Sequence, residues 1–349
     1  MRSGKRAALA LGLIAVAMAG ALGGCADLGY LSGQLGGHLR LMHAARPVPE
    51  WLADANTPPT LRERLLLTQR MRDFAVRELH LPDNASYRSY ADLHREAAVW
   101  NVVAAPTLSL TPRSWCFPVM GCVAYRGYFD EKRAQALGTE LRGQGFDVLV
   151  YPVPAYSSLG WTADPLLNTF IDYNDSALAG MIFHELAHQV AYAQDDTAFN
   201  EAFATAVERI GVRVWLAGSG TPTQLEQYER SQARSARFRA LTLDYQARLK
   251  ALYAGDEPDK ATAKAALFAS MRADYARIKS DEWGGYAGYD RWFAEANNAS
   301  FALLASYNEL VPFFERLFAA EGHDWSRFYA EVKRRAALPK PERLTSAIR

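Results

Sequence analysis

Cysteine is scarce in this chain, with three in 349 residues. Three are too few to build a disulfide scaffold. An excess of charge of one sign is missing as well: 39 Lys+Arg stand against 38 Asp+Glu, a formal net charge of +1. That balance leaves no general electrostatic footprint for nucleic acid, so no nucleic-acid partner is expected. There is no internal repeat and no low-complexity tract, and only one long hydrophobic run. Disorder needs low hydrophobicity with high net charge, whereas half of the residues here are hydrophobic. The length suits one large domain or two smaller ones, with ample core either way.

The hydrophobic run stands at the start. Arg2, Lys5 and Arg6 precede an uncharged stretch from Ala7 to Leu22. A basic start before a short apolar run is the pattern of a secretory signal. A membrane span of about 20 residues would need a longer stretch without the closing glycines. Leu22-Gly23-Gly24-Cys25 resembles a bacterial lipobox. The resemblance implies removal of residues 1–24 and lipidation of Cys25, which would anchor the chain in a membrane. Ala26, where an aspartate would favour the inner membrane, implies the outer membrane and a periplasm-facing body. Residues 25–58, ending in Ala55-Asn-Thr-Pro-Pro59, read as a short helix and a lipid-anchored tether.

Cys116 and Cys122 remain, in Trp115-Cys-Phe-Pro-Val-Met-Gly-Cys-Val123. In an oxidising compartment so close a pair reads as a structural disulfide. A metal knuckle is the competing reading, and it would need two further ligands. Beyond the tether, Thr60 to His80 carries an apolar face at helical spacing. Runs at 99–104, 123–129 and 146–151 are β-branched and aromatic, bounded by Pro and Gly, with a helix at 130–142 between the last two. A further strand over 156–160 is expected. From Asp175 the chain reads helical, with two long helices over 222–280 and breaks at Gly218, Gly255 and Gly284-Gly285. The expectation is α+β: a small mixed β-sheet followed by a helical body, in one domain over 59–338 with a frayed tail at 339–349.

Residues 183–190 read Phe-His-Glu-Leu-Ala-His-Gln-Val. On a helix His184 and His188 share a face one turn apart, so both imidazoles can reach one ion. Glu185 lies beside that face, placed to act as general base without ligating the metal. Histidine is only 7 of 349 residues, so this spacing would arise by chance in on the order of one chain in a hundred. A catalytic zinc takes three protein ligands. Glu201, in Asn200-Glu-Ala-Phe-Ala204, is the candidate third, on a second helix entered through Asp195-Asp-Thr197. Glu208, two turns further along the same face, is the rival; its other readings are a pair with Arg209 or Arg213, or an acceptor for a ligand's spare N–H.

His184-Glu-x-x-His188 with Asn200-Glu201-x-Phe-Ala resembles the gluzincin metallopeptidases. In them the downstream glutamate is the third ligand, which maps onto Glu201. The interval between His188 and Glu201 is shorter than in thermolysin. Arg46-Pro-Val-Pro-Glu-Trp51, Leu81-Pro-Asp-Asn-Ala-Ser-Tyr87, Trp115-Cys-Phe-Pro118, Gly121-Cys-Val-Ala-Tyr-Arg-Gly-Tyr-Phe129 and Ala155-Tyr-Ser-Ser-Leu-Gly-Trp161 widen the likeness over nearly the whole chain. Together they resemble a bacterial family of predicted aminopeptidases. The resemblance implies a Zn2+ cofactor and a peptide or protein substrate.

Gluzincins also use a Tyr or His outside the zinc motif to stabilise the developing oxyanion. Tyr307 is the candidate here, with a core tyrosine as its plainer reading; His323 reads as a helix-start residue. Residues 155–161 could align a peptide by main-chain pairing. Asp164 and Glu208 are possible partners for a substrate ammonium. The arginines of 227–250 could face anionic lipid, or form an ordinary solvated helix face. Three functions stay open: an envelope zinc aminopeptidase, an endopeptidase or amidase acting on envelope proteins or peptidoglycan peptides, and a non-catalytic lipoprotein scaffold.

Overall fold

A computed structural model describes residues 29–30, 33–117, 121–158, 160–194, 196–304 and 310–345. The segment read as a signal peptide, Cys25 and Tyr307 lie outside the described residues. Among those described, no helix is long and apolar enough to cross a membrane.

The strands are short and fall into three small sheets. β1 (Arg46–Pro47), β2 (Ser89–Ala91) and β8 (Leu166–Leu167) form one, with an antiparallel and a parallel pair. β3 (Val99–Pro106) pairs antiparallel with both β6 (Arg126–Tyr128) and β7 (Phe146–Val153) in the second. β4 (Trp115–Phe117) and β5 (Gly121–Val123) form a separate ribbon, in which Cys116 stands opposite Cys122 and is joined to it by a disulfide. The runs expected at 99–104, 123–129 and 146–151 thus supply the central sheet. The strand expected over 156–160 is absent among the described residues there; this segment is a loop.

After a helical stretch over residues 33–44, the helices are α1 (Val48–Ala53), α2 (Pro59–Arg77), α3 (Glu131–Gly143), α4 (Asp175–His188), α5 (Thr197–Ser219), α6 (Pro222–Ala254), α7 (Lys260–Asp281), α8 (Asp290–Glu295), α9 (Asn298–Leu304), α10 (Val311–Ala320) and α11 (Trp325–Ala336). The fold is α+β, as expected, and the chain from Asp175 onward is mostly helical. Asp130 caps α3 by accepting from the backbone of Lys132 and Arg133, and Gly145, at φ 84°, follows its end.

β3 is covered on both sides, which the two-residue period of a strand makes possible. Trp100, Val102 and Ala104 pack with Ala134 and Leu141 of α3. Val103 points the other way, against Ala299 and Ala302 of α9, with Tyr125, Leu149 and Tyr151 beside it. The main core lies around α2, α4, α5, α10 and α11. α6, α7 and α8 gather a second core around Phe238, Tyr245, Met271 and Phe293, to which Phe301 of α9 also belongs. Along this arm the arginines pair within the helical surface: Arg230 with Glu226, Arg237 with Glu282 and Arg248 with Asp244. That is the solvated-face reading of the segment.

Two boundary expectations need correction. The stretch read as a tether is part of the body from residue 33. Leu41 and Val48 are buried in the main core, β1 pairs with β2, and the Trp51 indole donates to the Tyr90 carbonyl at 3.3 Å. Pro58-Pro59, which looked like a linker, starts α2, where proline is tolerated in the first turn. Of the stretch read as a frayed tail, the described residues 339–345 are tied down as well. Residues 340–342 form a 3-10 turn, and the buried Arg343 meets Asp196 at 2.8 Å. Asp196 is the N-cap of α5, accepting from the Phe199 amide.

Candidate metal centre

α4 is built for burial. Leu178, Ala179, Ile182, Phe183, Leu186 and Ala187 are all buried. Its N-cap is Asn174, one residue before the expected start, accepting from the Ala177 amide at 3.0 Å. The helix ends at His188, so both histidines lie in its last two turns. The connection over residues 189–196 then turns the chain into α5. Asn200 holds that connection: buried in the first turns of α5, it accepts from the Ala193 amide at 2.7 Å and donates to the Ala193 carbonyl at 2.8 Å. Glu201 follows it and turns back toward α4.

The result is a cluster of three donors. The Nε2 atoms of His184 and His188 are 3.2 Å apart. Glu201 places one carboxylate oxygen 3.3 Å from His184 Nε2 and the other 3.7 Å from His188 Nε2. One ligand atom from each residue lies within 4.8 Å of the others, so the cluster could hold a metal ion. A tetrahedral ion with bonds of about 2.0–2.1 Å sets its ligand atoms about 3.3–3.4 Å apart. The observed separations fit that figure.

Protonation follows from the surroundings. Burial, with His184 beside it, pushes His188 down to about 4, so its imidazole is neutral. Burial opposes ionisation of Glu201, but the hydrogen bond from His184 together with the electrostatic pull of both histidines outweighs it and holds its pKa below the usual value. Burial would also lower His184, yet its bonds to Glu201 and Glu208 raise it well above the usual value.

Glu208 lies outside the three-donor cluster. It meets His184 on the far side of the ring, with Oε2 3.0 Å from Nδ1. That contact fixes which nitrogen faces the cluster, the usual work of a carboxylate behind a metal-binding histidine. Room for it comes from Gly180, one turn before His184: a Cβ there would stand 3.2 Å from the Glu208 side chain. A mid-helix glycine costs about 0.5–1 kcal/mol relative to alanine, and here it admits the orienting carboxylate. His188 has no equivalent partner among the described residues, since its Nδ1 is buried and unbonded.

Glu185 lies beside the cluster. Burial pushes its carboxyl up; His184 opposes this, Glu201 and Asp164 add to it, and a hydrogen bond with Ser157 restrains it. The loop carrying Ser157 is fastened by Asp164, which is fully buried and accepts from the Ser158 amide at 2.9 Å and the Thr162 hydroxyl at 3.3 Å. Asp164 is therefore a loop anchor, not an open partner for an ammonium. From behind, residues 82–87 clasp the end of α4. The buried Arg72 donates to the carbonyls of Ser86, Pro82 and Asn84, and Gln189 bonds both Asn84 and Ser86.

Three tyrosines unassigned by sequence reasoning stand within electrostatic range of Glu201: Tyr125, Tyr151 and Tyr192. Asn101 donates to the Tyr151 hydroxyl at 3.1 Å. Tyr125 lies in one of the motifs behind the family resemblance, but no local pattern links it to Glu201, 76 positions away. His323 stands in the turn before Asp324, which caps α11, and its ring packs on Phe318.

Two histidines on one helix, joined by a glutamate from the next, define a two-histidine, one-carboxylate candidate metal centre on an α+β scaffold. Residues 29–346 match the model of the family described as "Putative aminopeptidase", and the chain belongs to that family. Its name implies peptide substrates. No curated protein and no solved structure matches the chain.

Proposed function

We propose that this chain is a zinc-dependent peptidase of the gluzincin type, with aminopeptidase action as the leading reading. The observation that carries it is the convergence of His184, His188 and Glu201 at ion-sized separations, with Glu185 at their side. Zn2+ held by these three would supply a Lewis acid and make water a nucleophile near neutral pH. Glu185 takes the proton of the attacking water and passes it to the leaving amine. Its raised affinity for protons suits both tasks. Tyr151 receives a hydrogen bond from Asn101, so its own proton is available to donate; Tyr151 and Tyr125 are the candidates to meet the developing oxyanion. Tyr307 keeps its candidacy from sequence alone.

The lipobox supports placement at the outer membrane, anchored through Cys25 and facing the periplasm. Residues 1–24 are then a signal peptide and the body a single peptidase domain. The disulfide of Cys116 and Cys122 suits that oxidising compartment.

The test is metal content with turnover. Purified protein should carry about one zinc per chain. Glu185→Gln should keep the zinc and lose at least about 100-fold in kcat. Full activity in that variant overturns the mechanism. Endopeptidase action is the second reading, favoured by the burial of Asp164, which leaves that carboxylate closed to a substrate ammonium. Cleavage of N-acetylated peptides as fast as free ones would select it.

A further inference from the structure

The least explained feature beside the metal centre is Trp161. It is 89% exposed, the highest value among the large exposed hydrophobic residues described. An isolated exposed apolar side chain is ordinary on a mobile surface loop. This loop is held at several points. The Trp161 amide donates to the Ser158 carbonyl at 3.1 Å, closing a turn. The Ser158 hydroxyl accepts from the Thr162 amide at 2.9 Å, and the buried Asp164 takes bonds from both residues. The tip is bracketed by the site itself. Ser157 bonds Glu185, and a Cβ on Gly160 would lie 3.3 Å from the side chain of Gln189, next to the ligand His188.

A turn brings its end residues within about 7 Å. The turn begins one residue after Ser157, so the loop that bonds Glu185 is also the loop that carries the indole. A clamped backbone presenting a large apolar ring to water, beside the base, is the construction of a side-chain subsite rather than of a lid. Tyr192, 51% exposed and near Glu201, adds a second open aromatic at the cluster.

We propose that Trp161 forms the wall of a substrate subsite that takes an apolar, preferentially aromatic, side chain close to the scissile bond. The inference rests on the peptidase reading and names its substrate class. Aromatic pairs add selectivity beyond the area they bury.

The test is binding, so that it can be read apart from turnover. Zinc-loaded Glu185→Gln protein is titrated calorimetrically with Phe-Ala-Ala and with Ala-Ala-Ala. The Phe peptide should bind more tightly, and adding Trp161→Ala should erase roughly five- to tenfold of that ratio. Trp161→Tyr should retain most of it. Tyr286→Ala, removing an exposed aromatic of the helical arm, is the control and should leave the ratio alone. An equal ratio with and without Trp161, or no binding of either peptide, overturns the subsite. Selective binding by the Trp161 protein while the parent enzyme cleaves no peptide would sink the peptidase reading and leave the subsite standing.

Discussion

The two helix pairs of the molecule solve opposite packing problems. α4 and α5 bury polar groups: His188, Asn200 and the inner faces of His184 and Glu201 lie in or against the main core. Apart from the unbonded Nδ1 of His188, they are matched, and the matching is specific. Asn200 closes on Ala193, Glu208 on His184, and Arg343 on Asp196. α6 and α7 bury rings and alkyl chains instead, with Phe238 stacked on Tyr289 and Tyr275 on Phe293. Most of their charges stay at the surface, where a pair contributes little, with a median of about 0–1 kcal/mol; Lys264 of α7, half-buried against Asp147, is the departure. A polar core tolerates few substitutions because a widowed partner is left behind. An aromatic core tolerates change of shape but loses stability with volume.

The sharpest break of this contrast is Glu201→Ala. Loss of the third donor should remove bound zinc and lower activity by roughly three orders of magnitude or more, while thermal stability changes little in the arm. Metal analysis beside a melting curve checks both. The converse is Phe301→Ala, where the arm's core meets α9. It should cost about 3–5 kcal/mol of stability, read by denaturant unfolding, with zinc stoichiometry kept. If zinc is lost as well, the two cores are not separable.

A smaller effect is expected behind the ligand. Glu208→Gln keeps the shape but weakens the hold on His184, and should lower zinc affinity by about 10- to 100-fold. An unchanged affinity would mean that the ring is oriented by packing alone. The smallest effect is that of pH. His184 of the metal-free protein is held protonated by its carboxylate neighbours, and a ligand must be neutral, so zinc displaces that proton. Affinity should fall by up to about tenfold for each unit below its raised pKa and level off above it. Chelator competition at a series of pH values measures the slope; a flat profile refutes the assignment.

Local periodicity made the centre legible. His184, Glu185 and His188 lie within five residues, and Glu201 is joined to them by one turn and a capped helix start. Long-range neighbours were not legible. Tyr151 meets Asn101 because β7 lies beside β3, and Arg343 finds Asp196 147 positions away. The tether was misread for a related reason: prolines that start a helix look, in sequence, like prolines that make a linker. Glu201 was preferred to Glu208 because the motif match sits there; neither motif nor spacing tells the two edges of an imidazole apart.

That imidazole carries a last consequence. One helix grips His184 by both nitrogens, Glu201 on one edge and Glu208 on the other. Rotation of the ring is given up when the chain folds, not when an ion arrives. Metal capture then has one less freedom to quench, and the folding of α5 against α4 has already met that entropic cost.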